Sequence, residues 1–113
     1  MHILILGAGA LGSLVGSRLS RSHARVTLLS TNRDHMRVVR EDGLMVEELD
    51  GSLTRYDLPA YSDPAEIPEK ADLVLVSVKT YATRAALQSI HRLCTGSTVF
   101  LTLRVLETKR WRG

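Results

Sequence analysis

A chain of 113 residues has room for one domain with an ordinary core, and 44% apolar with 24% charged residues places it among soluble globular proteins. No apolar run approaches the roughly 20 residues that cross a bilayer. The opening run HILIL is too short for a signal peptide and no basic segment precedes it, so a cytoplasmic protein without membrane contact is expected. The net charge of +3 does not point to nucleic acid. Arg104, Lys109, Arg110 and Arg112 all fall in the last ten positions, and the rest balances at 11 basic against 11 acidic residues. A nucleic-acid module spreads its cations over a folded face.

In chain order, His2 to Leu6 is a short apolar run with Ile and Leu on both faces, which suits a central parallel strand. Glycines follow, then Leu11, Leu14, Val15 and Leu19 at helical spacing, with Arg18 and Arg21 expected to face away. RVTLLS, residues 25–30, predicts a second strand. Thr31 or Asn32 can cap a helix through Asp34, Met36 and Val39 that Gly43 closes. Two alternating stretches over residues 44–58 flank Asp50-Gly51 and predict an antiparallel hairpin near a sheet edge, its Glu47, Glu48 and Asp50 solvated. Asp63-Pro64 and Pro68 mark a loop. LVLVSV (residues 73–78) and TVFLTL (residues 98–103) predict two buried strands. Between them, Ala86, Leu87, Ile90 and Leu93 form one side of a helix over residues 80–94. The pattern is α/β: a Rossmann-like, doubly wound, mostly parallel sheet with an antiparallel hairpin excursion.

Gly7-Ala8-Gly9-Ala10-Leu11-Gly12 is a GxGxxG that follows a strand and opens a helix, the context the motif needs to mean dinucleotide binding. Gly7 allows the tight turn, Gly9 lets a pyrophosphate approach the backbone, and Gly12 lets helix and strand pack closely. The anion then meets unpaired N–H groups at the positive end of the helix. A carboxylate usually ends the second strand in NAD-binding folds. Here Ser30, Thr31 and Asn32 stand there and Arg33 follows, so hydroxyl, amide and guanidinium groups favour a 2′-phosphate, hence NADP. Lys79 ends the strand LVLVSV, where its ammonium can face the cofactor cleft or only water.

ILGAGALGSLVGSRL, VTLLS, EDGLMVE, SDPAEIPEKADLVLVSVKTYAT and TVFLTL together resemble the N-terminal domain of the ketopantoate reductase (2-dehydropantoate 2-reductase) family, over residues 1 to about 103. The resemblance implies an oxidoreductase that reduces 2-dehydropantoate, a small 2-oxo acid, to pantoate with NADPH, toward pantothenate and coenzyme A. Residues 7–12 would hold the pyrophosphate, and Lys79 would touch the cofactor near the substrate. The family's 2′-phosphate arginine directly follows the second strand; Thr31 holds that place here and Arg33 lies two residues later.

After the TVFLTL strand the family continues Gln-Asn-Gly, whereas this chain reads Arg104-Val105-Leu106-Glu107. The resemblance implies that the family's second, helical domain, with its catalytic lysine and substrate-binding glutamate, is expected to be missing. Two parts are therefore expected: an NADP-binding domain over 1–103 and a basic tail, foreign to the family, over 104–113. Codons that fit residues 105–113 can be read in a shifted frame as Leu-Gly-Asn-Glu-Glu-Val-Ala-Gly, so a frameshift near Arg104 is one expectation and a natural basic tail the other. The fragment is expected to bind NADPH weakly, to be nearly inactive, and to form a homodimer or dissolve poorly where apolar surface is bare. Other NAD(P)-dependent 2-oxo acid dehydrogenases, or a stand-alone nucleotide- or partner-binding module, remain open on these residues. His23, His35 and His91 lack metal-ligand spacing, and Cys94 lacks an activating neighbour, so no metal or thiol site is expected.

Overall fold

A computed structural model describes residues 1–7, 9–78 and 80–103. Five parallel strands form the main sheet: β1 (His2–Leu6), β2 (Arg25–Leu29), β5 (Ala60–Tyr61), β6 (Leu73–Val76) and β7 (Val99–Thr102), in the order β5-β2-β1-β6-β7. β3 (Leu44–Glu47) and β4 (Leu53–Tyr56) pair antiparallel as a separate two-stranded sheet. The hairpin is thus where its alternation and its Asp50-Gly51 turn put it in the chain, but it docks on α1 (Ala10–Leu19) instead of extending the main sheet. The chain after Tyr56 leaves the hairpin early and adds the short strand β5 beside β2, an element the sequence pattern did not announce.

Every residue of β1 is buried and all but His2 are apolar, as suits a strand with cover on both faces. Ile3 and Ile5 join Val26, Leu28 and Leu75 in one core layer with Met36 and Val39 of α2 (Arg33–Asp42) and with Leu44 and Tyr56 of the hairpin. Leu4 and Leu6 join Leu29, Val74 and Val76 on the other face, against Ile67, Ala71, Ile90 and Leu93. Asn32 caps α2, its side-chain oxygen accepting from the His35 N–H at 3.1 Å, and Gly43 ends it with φ +85°.

The helix over residues 80–94 is shorter than expected. α3 spans Thr83–Ser89, with 3₁₀ turns at Thr80–Ala82 and His91–Leu93, while Ile90 and Leu93 still bury. On α1, Val15 and Leu19 pack on the core and Gly12 lies close to the turn as expected, but Leu14 departs from expectation. Gly12, Ser13, Gly16 and Ser17 are buried and Leu14 is exposed. The small stripe brings the helix close enough that a Cβ on Gly16 would lie 3.2 Å from Leu28 Cδ2. The largest correction concerns β7, expected as a buried strand: all four of its residues are exposed.

Buried polar groups pin the amino ends of the strands. The His2 N–H donates to Asp72 Oδ2 at 2.7 Å, tying β1 to the start of β6. The His2 ring is buried between the Lys70 carbonyl (3.0 Å from Nδ1) and Thr27 Oγ1 (2.7 Å from Nε2). A carbonyl only accepts, so Nδ1 carries the proton and, in the neutral ring, the Thr27 hydroxyl donates to Nε2. No helix among the described residues is long and apolar enough to cross a membrane.

Candidate functional site

In an open parallel sheet, a ligand crevice forms where the strand order reverses, outside the carboxyl ends. Here the chain passes from β1 to β2 on one side and later returns to β6 on the other, so the reversal lies between the ends of β1 and β6. Gly7 sits at that point. Its N–H donates to the Leu29 carbonyl at 2.8 Å, and the Ser77 N–H donates to the Leu6 carbonyl at 2.8 Å, which fixes the rim on both sides. The Gly7 φ of +98° is left-handed, and a Cβ there would lie 2.8 Å from Val78 Cγ1 and 2.9 Å from the Ser77 carbonyl. A Cβ on Gly12 would overlap the Gly7 carbonyl oxygen. Around Gly9, in contrast, nothing lies within 4 Å of a Cβ position: this is open space against bare backbone.

Gly9 is the N-cap of α1 and supplies no side-chain cap, and no acidic residue occupies the first turn. The first intrahelical bond runs from the Ser13 N–H to the Gly9 carbonyl at 2.9 Å, so the N–H groups of Ala10, Leu11 and Gly12 have no helical acceptor. Unpaired donors, the positive helix end and open space together suit a phosphate anion.

Thr31 and Arg33 reach the same end of the sheet because β1 and β2 run parallel in register, Leu6 opposite Leu29. Both are exposed; Thr31 lies in the bend after β2 and Arg33 is the first residue of α2. The Asn32 N–H donates to Ser30 Oγ at 3.2 Å, which shapes that bend. Ala8 and Lys79, together with the side chain of Ala10 and all of residues 104–113, lie outside the described residues.

One part of the site escaped the sequence. A cleft of about 350 Å³ opens beside Gly9 and Ser13 and is walled by Leu14, His35, Met45 and Val46. Its outer wall is β3, and an ion-pair clamp holds that hairpin on α1. Arg18 Nη2 donates to Glu48 Oε2 at 2.5 Å, Arg21 Nη2 donates to Oε1 at 3.1 Å, and the Tyr56 hydroxyl donates to Oε1 at 3.2 Å. Arg21 also lies over the Tyr56 ring, 5.4 Å from its centre. The Arg18 hydrogen bond, followed by one from Thr54, pulls the Glu48 carboxyl down to about 2. Glu48 is therefore not the solvated hairpin residue its sequence suggested, and Arg18 and Arg21 do not merely face away. Asp50 fits the expectation better: it is exposed, and Ser52 holds its carboxyl below the usual range.

The described residues contain no group of three or more metal-ligating side chains. Cys94 is a packed thiol near a helical turn, donating to the Ile90 carbonyl at 3.4 Å, and burial pushes it up.

Known proteins match this geometry. The family model for ketopantoate reductase PanE/ApbA matches residues 3–104. A 2-dehydropantoate 2-reductase of Halobacterium salinarum is 42% identical over 104 residues, covering 92% of this chain and 34% of its own length. The crystal structure of a PanE/ApbA family ketopantoate reductase from Ralstonia eutropha superposes with a TM-score of 0.81 at 31% identity, covering 91% of this chain and 34% of that one. A D-mandelate dehydrogenase, solved with NADH and anilino(oxo)acetate, superposes with a TM-score of 0.83 at 31% identity, covering 91% and 33%. The chain thus spans about a third of the length of the relatives it matches. A glycine-lined crevice at the sheet reversal and a match over nearly every described residue lead to one conclusion: the chain belongs to the ketopantoate reductase family.

Proposed function

We propose that this chain is the dinucleotide-binding part of an NADPH-dependent reductase that converts 2-dehydropantoate to pantoate in pantothenate biosynthesis. The observation that carries the proposal is the open backbone at Gly9 between two glycines that tolerate no side chain. The residues fit the group: the amides of residues 10–12 would hold the pyrophosphate, and Thr31 and Arg33 would take a ribose 2′-phosphate. Ala8 and Lys79 belong to the same proposed set by family resemblance. When bound, the nicotinamide supplies a hydride to the ketone carbon. The chain's own part is to fix the pyrophosphate on α1, to keep carboxylates out of the first turn of α1, and to lay the ribose end toward α2.

Family resemblance puts the ketone-polarising lysine and the substrate-binding glutamate in the part of the relatives beyond the match. The purified 113-residue chain is therefore expected to bind NADPH and to show negligible turnover of 2-dehydropantoate. The exposed apolar residues of β7 support self-association as a homodimer. A second reading, reduction of another 2-oxo acid, is favoured by the likeness to the D-mandelate dehydrogenase, whose structure holds a substituted oxoacetate.

Amide NMR titration tests the binding proposal directly. NADPH is expected to shift the amide signals of Gly9, Leu11, Gly12 and Ser13 first. If NADPH and NADH both leave those signals unmoved, the assignment is wrong. Turnover of 2-dehydropantoate at a rate typical of an enzyme would overturn the claim that this chain only binds.

A further inference from the structure

A second cleft, of about 470 Å³, opens along α2, whose first residue Arg33 and the Ser62 that follows β5 both lie at the carboxyl end of the sheet. It is lined by Arg33, Asp34, Arg37, Arg40 and Glu41 of α2 and by Ser62, just past β5. With 3.6 residues per turn, positions 33, 37 and 40 fall within an arc of about 60°. Three guanidinium groups therefore form one stripe along the helix, next to the buried face that holds Met36 and Val39. Neither Arg33 nor Arg40 has an ion-pair partner among the described residues. Arg37 has one: its Nη2 lies 3.6 Å from Asp34 Oδ1. Asp34 is the first carboxylate after β2, the type of group that accepts from ribose hydroxyls in NAD sites and repels a 2′-phosphate.

We propose that Arg37 is a specificity-determining residue for the phosphorylated cofactor, acting in two ways on one phosphate. It pairs with Asp34, which partly compensates the first carboxylate after β2; the other carboxylate of the cleft, Glu41, lies two turns from Arg33 along α2. Arg37 also stands one turn from Arg33, about 6 Å along the helix, where two guanidinium groups can share one phosphate. Ser62 lines the same cleft. Arg40 lies about 10 Å from Arg33 along the helix, two turns away, and adds general positive potential rather than a direct contact. The inference rests on the binding proposal above, but it makes a separate claim: the 2′-phosphate is read along α2, not only at the residues that directly follow β2.

Affinities of NADPH, NADH, 2′,5′-ADP and AMP for the wild-type chain and for R37A, R37K, D34N and R40A test it. R37A is expected to weaken NADPH and 2′,5′-ADP by about tenfold while leaving NADH and AMP unchanged or slightly tighter, as Asp34 is freed. D34N should strengthen the phosphorylated ligands alone, R37K should keep part of the preference, and R40A should change it least. Circular dichroism of R37K and D34N controls for folding if R37A proves unstable. If both dinucleotides bind and the NADPH-to-NADH ratio is the same in wild type, R37A and D34N, the role of Arg37 is refuted and the binding proposal stands. If neither dinucleotide binds the wild-type chain, the binding proposal fails and this inference falls with it.

Discussion

β1 and β7 are written in nearly the same alphabet and live in different surroundings. HILIL is buried at every position, whereas Val99, Phe100 and Leu101 are 54%, 47% and 51% exposed. Both strands pair in register with β6, Leu75 lying between Ile5 on one side and Leu101 on the other. The difference is therefore not in strand formation but in cover. α1, α2 and the hairpin lie over one face of β1 and β2, and the segments around Ile67 and Ile90–Leu93 lie over the other. Among the described residues, β7 sits at the sheet edge and pairs with β6 alone. An apolar run encodes a strand's taste for burial, and whether anything meets that taste is encoded elsewhere.

Truncating one residue in each strand gives the largest test. Leu4 has no exposed surface, so Leu4→Ala should cost about 2–5 kcal/mol in urea denaturation, combining lost transfer energy with a cavity. Leu101→Thr should change stability by no more than about 0.5 kcal/mol and should reduce self-association in light scattering. Equal losses at the two positions would mean that β7 is covered in solution, and the contrast would collapse.

A smaller effect separates two glycines of the same turn. A Cβ on Gly12 meets the Gly7 carbonyl, so Gly12→Ala should cost about 1–3 kcal/mol as the helix is pushed off the turn. A Cβ on Gly9 meets nothing, so Gly9→Ala should lower stability only by the weaker N-cap, well under that. Both changes should weaken NADPH binding by tenfold or so, Gly12→Ala through the fold and Gly9→Ala through the space the pyrophosphate needs. Thermal unfolding and nucleotide titration on the two variants decide it: a Gly9→Ala chain that binds NADPH normally would move the cradle elsewhere.

What the sequence made legible follows from how local each signal is. The Gly7 turn, the Asn32 cap, the Gly43 stop and the Asp50-Gly51 hairpin depend on backbone conformations within a few residues, and each lies where its residue type demands. On α1 the close approach at Gly12 was legible from the motif, and Val15 and Leu19 do pack on the core; Leu14 was misread, because its hydropathy outweighs that of Ser13 and Ser17, which take the buried positions instead. β5 was missed because two residues carry no period. Glu48 was misread because its partners lie 27 and 30 positions earlier, on α1 and in the turn just past its end. The conformation of the Gly7 turn was legible for the same local reason, and the cleft wall that His35 and β3 set beside Gly9 was not.

The Glu48 clamp provides the finest test of how independent the regions are. Its carboxyl lies at about 2 in the folded chain against an ordinary value of 4.5, so the folded state binds the proton less readily than the unfolded state. Stability from this group is thus fully present above pH 4.5 and is lost as the pH falls toward 2. Since the clamp joins only the hairpin to α1, amide exchange in β3 and β4 should quicken across that window while β1 stays protected. Asp50 titrates in the same hairpin with a lowered value of its own, so wild type must be compared with Glu48→Gln. The variant should exchange faster in β3 and β4 at neutral pH and should lose the part of the acid response that belongs to Glu48. Added salt should shrink the difference, because the two arginine side chains are 39% and 54% exposed and screening reaches them. If the hairpin and β1 instead lose protection together in wild type as the pH falls, the hairpin is no separate unit, and the wall of the cleft beside Gly9 is as firmly built as the sheet itself.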